Sequence, residues 1–269
     1  MIDEVAALLR DVAATAVLPL FGGLSETDVR EKAPGDLVTV ADRRAEELLT
    51  EGLTRLLPGS VVVGEEAVAD DPSRLGLLRD TGDVWIVDPI DGTGNFAAGH
   101  PPFVLMVALL RGGAPVAGWI YDPIAGTLAV TEAGAGTYVD GLRMGPPQPP
   151  PGPAALRGPA MIRFLSPELR ARAAAGTRRL GAVLAGQHCA GREYLDILAG
   201  HQHFALFWRA LPWDHTPGAL LLREAGGVAA RFDGTPYDPA DDRSGLLVAA
   251  SDEIWHAVHT ALLSAESPT

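Results

Sequence analysis

Apolar positions along the chain recur first with helical spacing and then in short continuous runs. Residues 2–18 (IDEVAALLRDVAATAVL) place Ile2, Val5, Leu8, Leu9, Val12 and Ala16 on one face, which predicts an amphipathic helix. Pro19 and Gly22-Gly23 end it. The stretch 36–57 predicts a second helix, with Thr39 or Asp42 as its cap and Ala45, Leu48, Leu49, Leu53 and Leu56 turned inward. Pro58-Gly59 is a turn, and Ser60 to Val63 is a short β-branched strand that runs into Gly64-Glu65-Glu66. After a polar loop over 67–82, Val84 to Val87 forms a buried strand ending in Asp88, within VWIVDPIDGTGNF (84–96). Phe103 to Leu110 is a continuous apolar strand. Val116 to Tyr121 and Thr127 to Thr131 follow as an antiparallel meander, and Gly136 to Val139 adds a short strand.

Residues 145–153 (GPPQPPPGP) break the pattern, because proline at this density enters neither a helix nor a central strand. The break predicts two subdomains, 1–145 and 146–269. Beyond it the spacing predicts a strand near 159–165, a helix from Pro167, a short strand at 182–184 and a helix over 190–199. A strand at 203–208, a helix at 214–225, strands at Val228 to Phe232 and Leu246 to Ala250, and a helix from Asp252 to Leu263 complete the chain. This strand–helix alternation predicts a layered α/β architecture.

Composition narrows the function classes. The 269 residues are 47% hydrophobic and 20% charged, as in an ordinary globular protein. The formal net charge of −13 argues against nucleic-acid binding, which needs a basic surface. No apolar run reaches the roughly 20 residues of a membrane span. The acidic start MIDEV does not read as an export signal, and a single cysteine, Cys189, suits a reducing cytoplasm.

Four acidic stretches carry the candidate chemistry. Asp42 lies in DLVTVAD, Glu65 and Glu66 follow a strand, Asp88 and Asp91 lie in DPIDGT, and Asp214 follows Trp213 at a helix start. Three of these sit where an apolar run ends, the place from which side chains converge on a cleft in α/β folds. Buried carboxylates need partners. All the candidate donors are hard oxygens, and no Cys or His pair has zinc spacing, so Mg²⁺ is favoured, with Mn²⁺ next. His201 and His203 alternate across a strand, which suits an exposed face rather than a metal. Two acids three apart on a turn can serve ions about 4 Å apart, as two-metal phosphoryl chemistry requires. Gly92 and Thr93 then offer N–H groups and a hydroxyl to a phosphate and an attacking water.

The combination of DLVTVAD, GEE, WIVDPIDGTGNF and PWDHTPGALLLREAGG resembles the inositol monophosphatase family of Mg²⁺-dependent, often lithium-sensitive phosphatases. The resemblance spans nearly the whole chain. It implies a layered αβαβα sandwich of the sugar-phosphatase type, a cytoplasmic enzyme and commonly a homodimer. It implies that Glu65, Asp88 and the Ile90 carbonyl hold a first metal and that Asp88, Asp91 and Asp214 hold a second. Glu65 would also serve a weaker third site. Glu65 and Thr93 would orient and deprotonate a metal-activated water, with Asp42 supporting Thr93. Asp91, Gly92, Thr93, Cys189, Ala190, Phe207 and Asp214 would meet the substrate.

Three positions depart from the family pattern. Gly94 replaces a second Thr after DPIDGT, and His215-Thr216-Pro217 replaces a small pair after Trp-Asp. Phe207 falls where inositol-specific members carry a Glu that binds sugar hydroxyls, and a Phe accepts no such bond. The resemblance implies hydrolysis of a small phosphorylated metabolite like inositol 1-phosphate, while Phe207 argues against inositol phosphate itself. Histidinol phosphate, a sugar phosphate and a nucleotide 3′-phosphate stay open as substrates. An aspartyl-nucleophile phosphatase and a non-catalytic metal-binding relative stay open as classes. Arg192 faces either a substrate anion or a surface acid.

Overall fold

The structure, a computed structural model, describes residues 1–33, 36–145 and 152–264. The expected subdomain boundary and most of the Pro-rich stretch lie outside the described residues. The first helix, α1 (Ile2–Val12), passes directly into a π-turn at Ala13–Val17. A hairpin of β1 (Val29–Ala33) and β2 (Asp36–Thr39) then leads into α2 (Val40–Leu56). Thr39 is the cap: its hydroxyl accepts from the Ala41 and Asp42 N–H groups, and Asp42 takes the Thr39 N–H in return. Leu56 points outward at 37% exposure, because Leu49 and Leu53 already fill the buried face and the helix ends there.

Seven strands form the main sheet in sequence order. They are β3 (Val61–Gly64), β4 (Asp83–Asp91), β5 (Val104–Arg111), β6 (Ala114–Asp122), β7 (Thr127–Glu132), β8 (Gly136–Val139) and β9 (Leu142–Met144). Only β3 and β4 run parallel. The connection between them, expected as loop, holds the short helix α3 (Glu65–Asp70) and a 3₁₀ segment, Pro72–Arg79. The turn after β4 opens α4 (Thr93–Ala97).

In the second half, β10 (Arg157–Pro159) pairs with β11 (Ala182–Leu184). The strand expected at 159–165 stops at Pro159. One further bridge joins Ala160 to Leu206, and Ile162–Phe164 then coils into a 3₁₀ turn, since no neighbouring strand continues the ladder. Helices α5 (Pro167–Gly176) and α6 (Ala190–Leu198) precede β12 (Phe204–Phe207), α7 (Pro212–Glu224), β13 (Val228–Arg231), β14 (Leu246–Ala249) and α8 (Asp252–Leu262). Strands β12, β14 and β13 make a small antiparallel sheet.

The layers follow from which faces are apolar. Trp85, Val87, Leu105 and Val107 pack against α1 and α2, while Val84, Ile86, Ala108 and Leu110 pack on the other side beside Trp213 of α7. Helix α7 touches both the main sheet and β13, and α8 covers the far side of the small sheet together with α5. The order is thus helix, sheet, helix, sheet, helix. With both faces covered, β4 reads as a continuous apolar run rather than an alternating one. Among the described residues no helix is long and apolar enough to cross a membrane.

Candidate active site

The end of β4 is built by a bulge. Asp88 pairs with Met106 and Asp91 with Val104, so three steps on β4 oppose two on β5. Such an insertion bends the strand and re-aims side chains. It also accommodates Pro89, which has no N–H to give a ladder. The freed backbone of Ile90 finds local partners: its N–H donates to Asp88 Oδ1 at 3.1 Å, and its carbonyl accepts from Thr93 Oγ1 at 2.9 Å. Gly92 turns the chain at φ 94°, where a Cβ would meet the Pro102 carbonyl at 2.9 Å.

Thr93 Oγ1 also lies 3.0 Å from Asp42 Oδ1, whose other oxygen accepts from the Thr39 N–H and hydroxyl at 2.8 and 2.6 Å. Burial pushes the Asp42 carboxyl up to about 6 against these bonds. The cap of α2 and the turn after β4 are therefore one hydrogen-bonded unit.

At the end of β3, Lys32 from β1 bridges Glu65 Oε1 at 2.7 Å and Glu66 Oε1 at 2.8 Å. Glu46, one helical turn beyond Asp42, accepts from the Glu66 and Ala67 N–H groups at 2.8 Å each and so holds the start of α3. Gly64 makes room for it; a Cβ there would overlap the Glu46 carboxylate. Burial raises Glu46 to about 7 and Glu65 to about 8, Lys32 opposing in both cases. Burial pulls the Lys32 ammonium down, but Glu65 and Glu66 outweigh it and hold the group above its ordinary value.

Asp91 Oδ2 accepts from the Gly191 N–H at 2.5 Å and lies 3.3 Å from Cys189 Sγ, and the Ala190 N–H adds a further bond. Burial raises this carboxyl to about 6 despite those donors. Cys189 and Ala190 are therefore in the site wall, but the donors they supply are directed at Asp91. The segment is fixed from behind. Gln187 N–H donates to the buried Glu193 at 2.7 Å, and Asn95 donates to the Gln187 and Pro102 carbonyls at 2.9 and 2.8 Å.

Asp214 lies in the first turn of α7 and faces the same space. Phe207 is buried at the end of β12, stacked on Tyr194 at 6.2 Å and edge-on to His215 at 4.6 Å. His215 Nε2 lies 3.1 Å from the Arg209 carbonyl, so Nε2 carries the proton and Nδ1 accepts from Tyr194 at 3.1 Å. Burial pushes this imidazole down to about 3, which keeps it neutral. Arg192 pairs with Asp122 at 3.2 Å and with Asp196 rather than facing the site. His201 is exposed, and His203 Nδ1 accepts from the Arg157 N–H; neither joins the acids.

One cavity of about 1030 Å³ gathers Glu65, Asp88, Ile90, Asp91, Thr93 and Asp214. Asp88, 1% exposed, is raised well above the ordinary carboxylate range, first by burial and then by Glu65, Asp91, Asp214 and Asp42. Glu66 Oε2 is buried with no hydrogen-bond partner. Among the described residues, no group of three or more His, Cys, Asp or Glu side chains is placed to hold a metal ion as it stands. By chemistry alone, the cavity's donors suit a hard divalent cation: they are oxygens and their charges repel one another.

The sequence profile of the inositol monophosphatase family matches residues 1–267. The chain belongs to the inositol monophosphatase family. It is 34% identical over 259 residues to an inositol-1-monophosphatase of Mesorhizobium japonicum, covering 90% of this chain and 88% of that one. Its fold is similar to that of the extragenic suppressor protein suhB from Bartonella henselae, with a TM-score of 0.84, 22% identity and 98% of each chain covered. It is also similar to SaIMPase-II, solved with bound inositol monophosphate (TM-score 0.77, 21% identity, 98% of this chain and 94% of that one) and with bound 2′AMP (0.79, 22%, 96% and 92%). As an inositol monophosphatase family member the chain is a phosphoric monoester hydrolase.

Lys32, Glu46 and Glu66 pack together behind Glu65, and the sequence pattern singled out only Glu66. Glu46 had a signal: it lies four residues after Asp42 on a helix face otherwise filled by Ala45 and Leu49. Lys32 had none, since VREKA (29–33) carries no apolar run to mark a strand.

Proposed function

We propose that the chain hydrolyses a small phosphorylated metabolite, about the size of inositol 1-phosphate, by direct attack of water in a reaction that needs Mg²⁺, with Mn²⁺ the alternative ion. The observation that carries this reading is the convergence of Glu65, Asp88, Asp91, Asp214 and Thr93 on one cavity. By the family's pattern, Glu65, Asp88 and the Ile90 carbonyl would hold one ion, and Asp88, Asp91 and Asp214 a second. Bound there, the cation lowers the pKa of water and neutralises the phosphate.

The chain's own groups do the rest. Gly92 and Thr93 receive the phosphate oxygens. Thr93 turns its one hydroxyl hydrogen toward Asp42 instead of the Ile90 carbonyl, which leaves its oxygen lone pairs to accept a hydrogen bond from the attacking water. Glu65 takes the proton of that water. Its Oε1 accepts from Lys32, whose charge favours the ionised carboxylate that can take a proton. The ligand-bound forms of SaIMPase-II support a small phosphate ester as substrate. Lithium sensitivity, a cytoplasmic location and a homodimer belong to the same reading.

The test is phosphate release across a panel of phosphomonoesters, with Mg²⁺ and after chelation. Mg²⁺-dependent release from any member supports the reading; none from any member refutes it. Rapid quench with labelled substrate tests the water attack, since a phospho-aspartyl protein would establish a covalent route instead.

A further inference from the structure

Helix α2 sends two buried carboxylates toward the site from one face. Asp42 and Glu46 stand four residues apart, about one helical turn, so they lie one above the other. Asp42 reaches Thr93 in the turn after β4, at 3.0 Å. Glu46 reaches the start of α3, where its two oxygens accept separately from the Glu66 and Ala67 N–H groups at 2.8 Å each. The helix that carries them is held firmly. Its Ala41, Ala45, Leu49 and Leu53 share one core with Trp85, Val87 and Ile90 of β4.

A helix start is ordinarily capped by a Ser, Thr, Asp or Asn immediately before it. Position 64 is Gly, and no side chain caps α3 from there. The acceptors come instead from α2, and Gly64 lets them in: a Cβ there would stand 2.3 Å from the Glu46 carboxylate carbon. Burying a carboxylate for this purpose costs more than a hydroxyl at position 64 would. What it supplies, and a local cap does not, is a link between elements. The β3–β4 ladder ends at Gly64 opposite Val87, so Glu65 is the first residue beyond the pairing. The direction of its side chain depends on the first turn of α3, which Glu46 holds.

Glu65 and Thr93, the two groups that the proposed reaction places on the attacking water, thus hang on one helix. We propose that α2 is the spacer that sets Glu65 against Thr93, and that Glu46 is the positioning residue for Glu65. The inference rests on the phosphatase reading above and adds to it a residue outside the cavity lining. Misplacing a reacting group by about 1 Å corresponds to a loss of about a hundredfold.

Two measurements decide it. The first is kcat and KM of the folded, Mg²⁺-loaded protein on its fastest phosphomonoester, well below the melting temperature, in Glu46→Gln and Gly64→Ala. Glu46→Gln keeps the shape but offers one acceptor to two N–H groups. Gly64→Ala leaves the carboxylate intact and pushes on it from the other side. In both, kcat is expected to fall about ten- to a hundredfold while KM changes less than about threefold. Glu47→Gln, on the exposed face of α2, is expected to match wild type. Unchanged kcat in Glu46→Gln, or a loss confined to KM, overturns the proposal. Asp42→Asn combined with Glu46→Gln is expected to lose less than the product of the single losses, since both act on the placement of one water; a full product overturns the shared spacer. The second measurement compares crystal structures of the metal-free full chain, wild type and Glu46→Gln. The Glu65 carboxylate is expected to move by about 1 Å against Thr93 while Asp88, Asp91 and Asp214 stay in place; an unmoved Glu65 overturns the proposal. If no ester is hydrolysed, the phosphatase reading falls, and the position of Glu65 in the variant still decides the role of Glu46.

Discussion

The floor and the wall of one cavity are built on different terms. The floor collects carboxylates at the ends of β3 and β4 and in the first turn of α7; the start of α6 holds Asp91, and Lys32 holds Glu65. The wall collects aromatic rings and guanidinium groups on a turn and a strand end, backed by a neutral network of Tyr194, Phe207 and His215. Buried like charges destabilise the floor until a cation or a proton arrives, whereas the buried part of the wall is already satisfied. In the proposed reading the difference separates two tasks, with the reaction chemistry on the floor.

The sharpest way to break this contrast is to remove a floor carboxylate. Asp91→Asn and Glu65→Gln are each expected to lower turnover about a hundredfold or more, the order of losing a key charge-stabilising group, while circular dichroism stays unchanged. Near-normal turnover in either variant refutes the floor. Next in size is the response to metal. Thermal melting of the chelated protein is expected to shift upward on adding Mg²⁺, by roughly 2–3 kcal/mol at a hundredfold excess over Kd, which is several degrees for a chain of this size. A flat response at millimolar Mg²⁺ contradicts it, and a shift of the same size in Asp91→Asn places the ion elsewhere.

The pH dependence of the metal-free protein separates floor from wall by sign. Asp42 and Asp91 are raised to about 6, Glu65 to about 8, and Asp88 well above the carboxylate range. The folded state keeps protons that the unfolded chain has released, so these acids lose stability as pH rises from about 4 through their folded values. His215, lowered to about 3, works oppositely: the unfolded chain gains its proton below about 6.5, so stability rises with pH up to that point. Above pH 6.5 the raised acids act, Glu46 behind the floor among them at about 7. Melting temperature is expected to fall between pH 6.5 and 8, by at most about 1.4 kcal/mol per pH unit for each late-titrating group, and Mg²⁺ is expected to flatten the fall. A rise over that window contradicts the assignment.

The smallest effect belongs to the wall's backing. His215→Phe keeps a ring but strands the Tyr194 hydroxyl and the Arg209 carbonyl, at a cost of about 1–3 kcal/mol. Denaturant unfolding checks this, and a neutral substitution shows that water satisfies both groups.

Most of the floor was legible in the sequence, because its acids follow apolar runs or open a helix and because the motifs around them resemble one family. The bulge that aims Asp88 and Asp91 was implicit in Pro89, a residue a central ladder does not tolerate. The wall was harder to read. Met161 to Leu165 has the apolarity of a strand, yet it turns away after a single bridge, and only tertiary pairing reveals that. Phe207 was visible as a departure from the family, but its stacking partners lie 13 residues upstream on α6 and eight downstream on α7. Lys32 stayed hidden because one charged residue in a polar hairpin reads as solvated surface until its partners are known.

The most direct test of the central claim is inorganic phosphate release by the chelated protein before and after Mg²⁺ is restored, on whichever phosphomonoester it hydrolyses fastest. The expected result is negligible release before addition and sustained turnover after it, with Asp91→Asn inactive in both conditions. Equal rates with and without Mg²⁺, or full activity of Asp91→Asn, would contradict the assignment of these acids as the catalytic metal site.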